Sequence, residues 1–184
     1  MLKRILLGLA LGGLLWGCAG LPYQERHTPQ DNGQAPELLD YYAPQVIRPG
    51  YTWRIYLHAR DNDGDMHYIF ASMWQAGVGA YPVDSTLIKT RDKREFAGYL
   101  FLNTPADQDL VWDNFYLEVL VRDRRENRSK TITVPLTFDY VPAEELPDKW
   151  ATAARYRLGV ISIEIQSSEK YNSQGDGANH VIAP

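Results

Sequence analysis

Between residues 51 and 138, hydrophobic and polar side chains alternate in a series of short stretches. A period of two is typical of a strand with one buried and one exposed face. The most regular stretch covers residues 112 to 122, where the inward positions are Phe115, Leu117, Val119 and Val121. The pattern predicts strands over residues 51–60, 66–74, 85–89, 95–103, 112–122 and 131–138.

Turn-forming sequences separate these stretches. Pro49-Gly50 precedes the first, and polar clusters at residues 61–65 and 123–129 follow later ones. No helical period occurs between residues 44 and 140. About seven short strands with turns between them predict an all-β fold, an antiparallel β-sandwich over residues 44–140.

The pattern changes after residue 141. Residues 147–157 predict a short helix that ends before Gly159, and residues 160–165 alternate again, with Ile161, Ile163 and Ile165 on one face. We expect residues 141–165, a short helix and an extra strand, to pack on the sandwich. Residues 166–184 are polar and contain glycine, so we expect a disordered tail.

The N-terminus has the pattern of an export signal. Lys3 and Arg4 precede an uncharged apolar run of about 11 residues, which is too short to span a bilayer core that needs about 20. Leu15, Gly17 and Cys18 resemble the lipobox of bacterial lipoproteins, although Trp16 departs from that pattern. The resemblance implies removal of residues 1–17 and diacylation of Cys18, which would attach the chain to a membrane through its acyl chains.

The segment after the cysteine bears on location. Residues 18–43 contain several prolines and no sustained period, so we expect a flexible, lipidated tether. Ala19 follows the cysteine, and by resemblance this favours the outer membrane, with the outer leaflet of the cytoplasmic membrane as the alternative. Secretion with an unmodified cysteine stays open. Cys18 is the only cysteine, so no intramolecular disulfide can stabilise the domain.

Three short segments in the predicted sandwich carry a second resemblance. A strand leading into residues 59–65, and later residues 119–123 with 127–129 before a final strand, resemble the immunoglobulin-like modules of bacterial surface proteins, including PKD-type and cadherin-like domains. The resemblance implies an immunoglobulin-like sandwich. The paired cysteines of antibody domains are absent, which excludes that branch.

Charge and composition limit the function classes. Without Lys3 and Arg4, 17 of the 19 cations remain against 23 acids, a net charge of −6. That balance argues against nucleic acid as the main partner. No serine lies in a nucleophile-elbow context and no pair of acids stands out, so we expect a protein that is not an enzyme.

Asp61, Asp63 and Asp65 place carboxylates at alternate positions, a spacing that calcium loops use. Asp123, in a turn expected at the same end, completes a candidate calcium site; no other cofactor is expected. The EF-hand pattern fails, because Met66 replaces the required glycine and the twelfth position is not Glu. The alternative is a solvated turn whose acids are neutralised by nearby arginines: Arg60, Arg122, Arg124, Arg125 and Arg128. His58 and His67 flank the turn, but with no cysteine available and no third histidine nearby they are expected to be surface residues rather than zinc ligands.

Aromatic side chains mark the outward faces of the predicted strands. Tyr56, Tyr99 and Phe101 fall on one sheet, and Tyr116 falls on the other. Such a patch is expected to be covered, either by the C-terminal segment around Trp150 or by an envelope protein partner. We therefore expect a lipid-anchored, non-catalytic protein-binding or assembly module. The alternatives are a calcium-dependent adhesion or glycan-binding module and an accessory subunit of an envelope hydrolase.

Overall fold

The computed structural model describes the backbone of residues 33 to 176 and the side chains of residues 33 to 173. The predicted signal peptide, the lipobox and residues 18–32 of the predicted tether lie outside the described residues, as do residues 177–184. Across residues 33–176, no helix is both long and apolar enough to cross a membrane.

Strands dominate the described chain. In order they are β1 (Glu37–Tyr42), β2 (Val46–Ile47), β3 (Thr52–Arg60), β4 (Met66–Gln75), β5 (Gly79–Ala80), β6 (Asp84–Leu87), β7 (Glu95–Asn103), β8 (Asn114–Asp123), β9 (Ile132–Phe138) and β10 (Arg157–Ile161). Short 3-10 helices cover Thr90–Asp92, Gln108–Trp112, Asp148–Trp150 and Ala153–Arg155, and one α-helix, α1, covers Ser168–Asp176. The six strands predicted between residues 51 and 138 are confirmed, with ends that move by two residues or fewer.

The strands form two sheets. Sheet A has the order β1-β3-β7-β10, and sheet B has the order β2-β9-β8-β4, with β5 and β6 both pairing with β4. The chain changes sheets at Ala43-Pro44-Gln45, between β1 and β2. Pairing is antiparallel except for β2 with β9 and β10 with β7, which are parallel. The described chain is an immunoglobulin-like β-sandwich, and the predicted fold class is confirmed.

The core lies between the sheets and follows the predicted alternation. Trp53, Ile55 and Leu57 of β3 are fully buried, as are Leu117 and Val119 of β8. Phe115 of β8 packs edge-on against Phe138 of β9, with ring centroids 5.7 Å apart. A core filled by large side chains from both sheets supplies the stability that a disulfide would otherwise add.

The structure differs from the prediction at β1, within the segment expected to be a flexible tether. Residues Glu37–Tyr42 pair with β3 along the edge of sheet A, so the tether prediction is wrong for them. Leu39 and Tyr41 are exposed on this strand while Leu38 packs against the core. The strand therefore lacks the apolar and polar alternation by which the others are recognised.

The C-terminal region also differs in detail. The predicted helix over residues 147–157 is two separate 3-10 turns, because Tyr156 is extended and its carbonyl accepts the Tyr99 N–H of β7 at 2.9 Å. The strand predicted over residues 160–165 lies earlier, as β10 (Arg157–Ile161), so the prediction is wrong for residues 162–165. Ile161, Ile163 and Ile165 are all buried as expected.

Residues Ser168–Asp176 form α1, so the predicted disorder is wrong for this part of the tail. Asp113 accepts the Ser168 N–H at the start of the helix at 3.0 Å, and Asp107 accepts the Ser167 hydroxyl at 2.9 Å.

Candidate functional site

The turn between β3 and β4 is organised by a buried carboxylate. Asp61 is almost fully buried, and its two oxygens accept the backbone N–H groups of Asp63 and Asp65 at 3.0 and 3.1 Å. Gly64 has a φ of 72°, in the left-handed region that glycine adopts without strain. Asp61 thus satisfies donors that the tight turn would otherwise leave unpaired.

Asp123 has the same role in the turn between β8 and β9. It is fully buried, and its Oδ1 accepts the N–H groups of Arg125 and Asn127, both at 2.8 Å. Its Oδ2 accepts the Asn127 side-chain amide, also at 2.8 Å. In both turns, a buried aspartate accepts hydrogen bonds from the backbone N–H groups of its own loop.

The two turns meet at one end of the sandwich, as the sequence predicts. The Arg124 N–H donates to the Asp65 carbonyl at 3.2 Å. The Arg125 side chain lies between the turns, 3.6 Å from an Asp65 oxygen and 4.0 Å from an Asp63 oxygen. Of the arginines considered from sequence, Arg125 neutralises these acids, whereas Arg122 pairs with Glu126 and Arg60 pairs with Glu95.

The four acids Asp61, Asp63, Asp65 and Asp123 are therefore brought together, but most of their oxygens already accept hydrogen bonds. Burial raises the pKa of Asp65, and the neighbouring carboxylates of Asp61 and Asp123 raise it further, against the opposing effect of Arg125. Within residues 33–173, no group of three or more His, Cys, Asp or Glu side chains is arranged to hold a metal ion. Calcium binding stays a prediction.

The two histidines lie in different environments. His58 Nε2 is 2.9 Å from a Glu95 oxygen, and Arg60 donates to both oxygens of the same carboxylate. These partners, Arg60 first and then His58, lower the pKa of Glu95 to about 2. His67 is half-buried, and burial together with Lys93, Arg124 and Arg122 lowers its pKa.

The aromatic face of sheet A is covered by the chain itself. Tyr56 pairs with Tyr99 across β3 and β7, but Tyr56 is only 4% exposed. Trp150 and Tyr42 pack against it, with ring centroids 5.9 and 6.1 Å away. The C-terminal segment therefore covers Tyr56, which is one of the two alternatives drawn from the sequence. The prediction that Tyr56 contacts a partner is wrong.

The other two aromatic residues that the sequence analysis assigned to this face, Tyr99 and Phe101, are shielded by arginines. The Arg54 guanidinium lies 5.1 Å from the centre of the Tyr99 ring, and Arg157 lies 5.8 Å from that of Phe101. Both rings are half-buried.

Sheet B keeps an exposed aromatic surface. Tyr116 is 41% exposed and stacks at 5.7 Å on Trp74, its cross-strand partner, which is 45% exposed. Sequence reasoning singled out Tyr116 but missed Trp74, although Trp74 shares the outward register of Phe70 and Ser72 on β4.

A groove of about 300 Å³ lies on the same face of sheet B. Phe70, Val83 and Leu120 line its apolar part, and Arg122 borders it. Arg122 stacks on the Phe70 ring at 4.7 Å, and its buried Nε–H has no hydrogen-bond partner among the described residues. We name Trp74, Tyr116 and this groove the sheet B surface.

Comparisons with known proteins find related shapes but no family. No family model matches the chain, and no curated protein matches it. The PKD domain of an M14-like peptidase from Thermoplasmatales archaeon SCGC AB-540-F20 is 14% identical, with a TM-score of 0.38 over 58% of this chain and 97% of that one.

Two other solved structures are similar to a comparable degree. A CARDB domain from Pyrococcus furiosus, solved in complex with di-metal ions, is 12% identical, with a TM-score of 0.31 over 56% of this chain and 90% of that one. A chain of the human complex between zinc 2-glycoprotein and prolactin inducible protein is 12% identical, with a TM-score of 0.34 over 60% of this chain and all of that one.

Proposed function

We propose that this chain is a lipid-anchored envelope protein whose sandwich is a non-catalytic interaction module that binds a protein partner through the sheet B surface. The observation that carries the binding role is the exposed Trp74–Tyr116 pair beside an apolar groove. Exposed aromatic residues next to a concavity are characteristic of interface centres, where they supply most of the binding energy. The aromatic face of sheet A, by contrast, is occupied by the chain's own segment.

The absence of a catalytic role is part of the same proposal. An accessory hydrolase subunit with its own chemistry would need acids free to exchange protons in a cleft. Asp61 and Asp123 instead accept backbone N–H groups within their own turns, and Asp63 and Asp65 face Arg125.

Membrane attachment is proposed from Leu15, Gly17 and Cys18. Two acyl chains give stable anchoring where one would be marginal. The test is metabolic labelling with a palmitate analogue: the native chain should carry label and sediment with membranes, and Cys18→Ala should lose both. Trp16→Val, which restores the usual lipobox pattern, is the matched control and should keep both. Equal labelling of Cys18→Ala would exclude this anchor.

The binding role is tested by crosslinking in native envelopes. A Trp74→Ala/Tyr116→Ala variant should lose a crosslinked partner that the native chain captures. Trp112→Ala is the matched control, because Trp112 is 82% exposed and lies outside the sheet B surface. If the double variant keeps the partner and its melting temperature is unchanged, the sheet B surface is excluded as the binding site.

Glycan binding is a second candidate, which the same ring pair favours because exposed aromatic rings can stack on sugars. Glycan-array binding that depends on Trp74 and Tyr116 would support it. Adding millimolar calcium in parallel, with the melting temperature as a second readout, tests whether calcium takes part; no change in either excludes calcium.

A further inference from the structure

The end of the sandwich where the two aspartate turns meet carries a set of unpaired cations, which we name the basic end. They lie in the loops after β6 and β8. No ion pair links them to an acid in the described part of the chain, and four of the five are exposed, Lys93 being half-buried. The five residues are Lys93, Arg94, Arg124, Arg128 and Lys130.

Backbone contacts show that these loops share one end. The Arg94 carbonyl accepts the Asp61 N–H at 2.8 Å, and the Lys93 carbonyl accepts the Met66 N–H at 3.2 Å. Arg128 bridges to Arg122 on β8. Arg128 and Lys130 also line one surface groove together with Asn62 of the β3–β4 turn.

Most acids at this end are engaged internally. Asp61 and Asp123 are buried and bonded to backbone N–H groups, and Asp63 and Asp65 face Arg125. Glu126 pairs with Arg122, and Glu95 pairs with Arg60 and His58. Glu37 is the exposed acid in the groove, opposite Arg60. The five cations therefore have no acid partner within residues 33–173, whereas the exposed acids Asp63, Glu95 and Glu126 each pair with another arginine. Burial lowers the pKa of His67, and Lys93, Arg124 and Arg122 lower it further.

The opposite end of the sandwich has the opposite charge. Asp109 lies in the connection from β7 to β8, and Asp139, Glu144 and Glu145 follow β9; all four are exposed. A chain with a net charge of −4 thus carries a group of unpaired cations at one end. A polarised domain is oriented by a charged surface even when its net charge has the same sign as that surface.

The described chain begins at the basic end. The Gln34 N–H donates to Asp63 at 2.7 Å, and the Gln34 side chain accepts from Asn62 at 2.7 Å. Cys18 lies 15 residues before Gly33. Fully extended, that length of chain spans at most about 50 Å, so acyl chains at Cys18 would keep this end within reach of a bilayer.

We propose that the basic end docks on the anionic phospholipid headgroups of the bilayer to which the chain is anchored. That the basic end lies close to a bilayer rests on the anchoring at Cys18 proposed above. Its attraction to anionic headgroups rests on the five unpaired cations. Basic clusters close to a membrane attachment point add attraction for anionic lipid with each Lys or Arg, over a distance of about one Debye length.

The test uses residues 18–184, the chain left after the predicted removal of the signal peptide, with Cys18→Ser, so that neither acyl chains nor the apolar run before Cys18 can bind the vesicles. Cosedimentation is measured with vesicles of phosphatidylcholine alone and with vesicles containing phosphatidylglycerol. We expect tighter binding to the anionic vesicles in about 0.1 M salt, and loss of that preference in about 1 M salt, where the Debye length is about 3 Å. Equal binding to both vesicle types would overturn the proposal. This comparison needs no substitution within the sandwich, so a folding defect cannot explain its outcome.

Charge reversal then locates the surface. Arg124→Glu/Arg128→Glu/Lys130→Glu should weaken binding to anionic vesicles by about tenfold or more. The matched control is Arg54→Glu/Arg155→Glu/Lys170→Glu, which changes the net charge by the same amount at exposed positions outside the basic end. Its affinity for anionic vesicles should stay within about twofold of that of the parent chain. Equal losses in both triple variants would overturn the assignment to this end. The palmitate-labelling experiment reads out anchoring independently, so either proposal can fail while the other stands.

Discussion

At the scale of single residues, two buried aspartates hold the end of the sandwich together. Asp123 is fully buried and accepts three N–H groups, two from the backbone and one from the Asn127 amide. Hydrogen bonds to a charged acceptor are stronger than neutral ones, and donors that lose their acceptor in the interior carry a desolvation penalty. These residues therefore stabilise the fold rather than supply free ligands.

Replacing Asp123 by alanine should lower the free energy of unfolding by about 2–4 kcal/mol, because it leaves three donors without their acceptor. Urea denaturation measures the change. Asp109→Ala removes a carboxylate of the same kind from an exposed position and should stay within about 0.5 kcal/mol of the native chain. Equal stability of both variants would mean that the β8–β9 turn does not need its buried acid.

The Glu95 carboxylate makes stability depend on pH. Its pKa in the folded chain is about 2, against an ordinary value of 4.5, because Arg60 and His58 favour the ionised form. Its contribution is present above pH 4.5 and is lost as the pH falls toward 2. The native chain should exceed Glu95→Gln in stability at pH 6, and the difference should disappear near pH 2. Urea denaturation across this range measures it, and a constant difference would exclude the linkage.

At the scale of elements, the C-terminal segment completes sheet A and the core between the sheets. It covers the outer face of sheet A with Trp150, adds β10 beside β7, and then places Ile163 and Ile165 in the core between the sheets. Gly98 shows how closely it packs, because a Cβ there would lie 2.6 Å from the Tyr156 carbonyl oxygen. The segment belongs to the domain and is not an appendage.

Trp150→Ala should therefore lower the free energy of unfolding by about 3–5 kcal/mol, the range for buried large aromatic residues. Trp112→Ala, which truncates a tryptophan that is 82% exposed, should change it by about 0.5 kcal/mol or less. The buried Nε1–H of Trp150 has no partner among the described residues, so Trp150→Phe, which removes that donor, should lie much closer to the native chain. Thermal and urea unfolding compare the three, and equal effects of both alanine variants would contradict the covering role.

Elements whose two faces meet different environments could be predicted from sequence, and those held by distant partners could not. In β3 and β8, buried and exposed side chains alternate along the strand itself, and this local pattern predicted both strands. In β1, Leu39 and Tyr41 face solvent, so its pattern carries no such signal. The start of α1 depends on Asp113, 55 residues earlier in the chain, a contact that no local pattern encodes.

At the scale of the whole molecule, composition predicts the net charge but not its distribution. The sequence shows an excess of acids, yet which acids are buried in turns and which cations stay unpaired depends on the fold. The candidate calcium residues and the basic end belong to the same pair of turns. Sequence reasoning identified the acids and treated the neighbouring cations as their counterions, whereas among the residues that the structure describes only Arg125 pairs with Asp63 and Asp65.

This polarity predicts how the domain is oriented on a bilayer. With the chain anchored through Cys18, a fluorophore at Asn62→Cys, near the basic end, should be quenched by a headgroup-attached quencher more strongly than one at Asp109→Cys, at the acidic end. Acylation occupies the only native cysteine, so each label is unique. The difference should be larger on vesicles containing phosphatidylglycerol than on phosphatidylcholine and should shrink in about 1 M salt, because screening removes the orienting field. Equal quenching at both positions on anionic vesicles would show that the domain has no preferred orientation. Stronger quenching at Asn62→Cys than at Asp109→Cys would instead mean that the acidic end faces away from the lipid. The Trp74–Tyr116 pair lies toward that end of the sheet B surface, where a partner can approach.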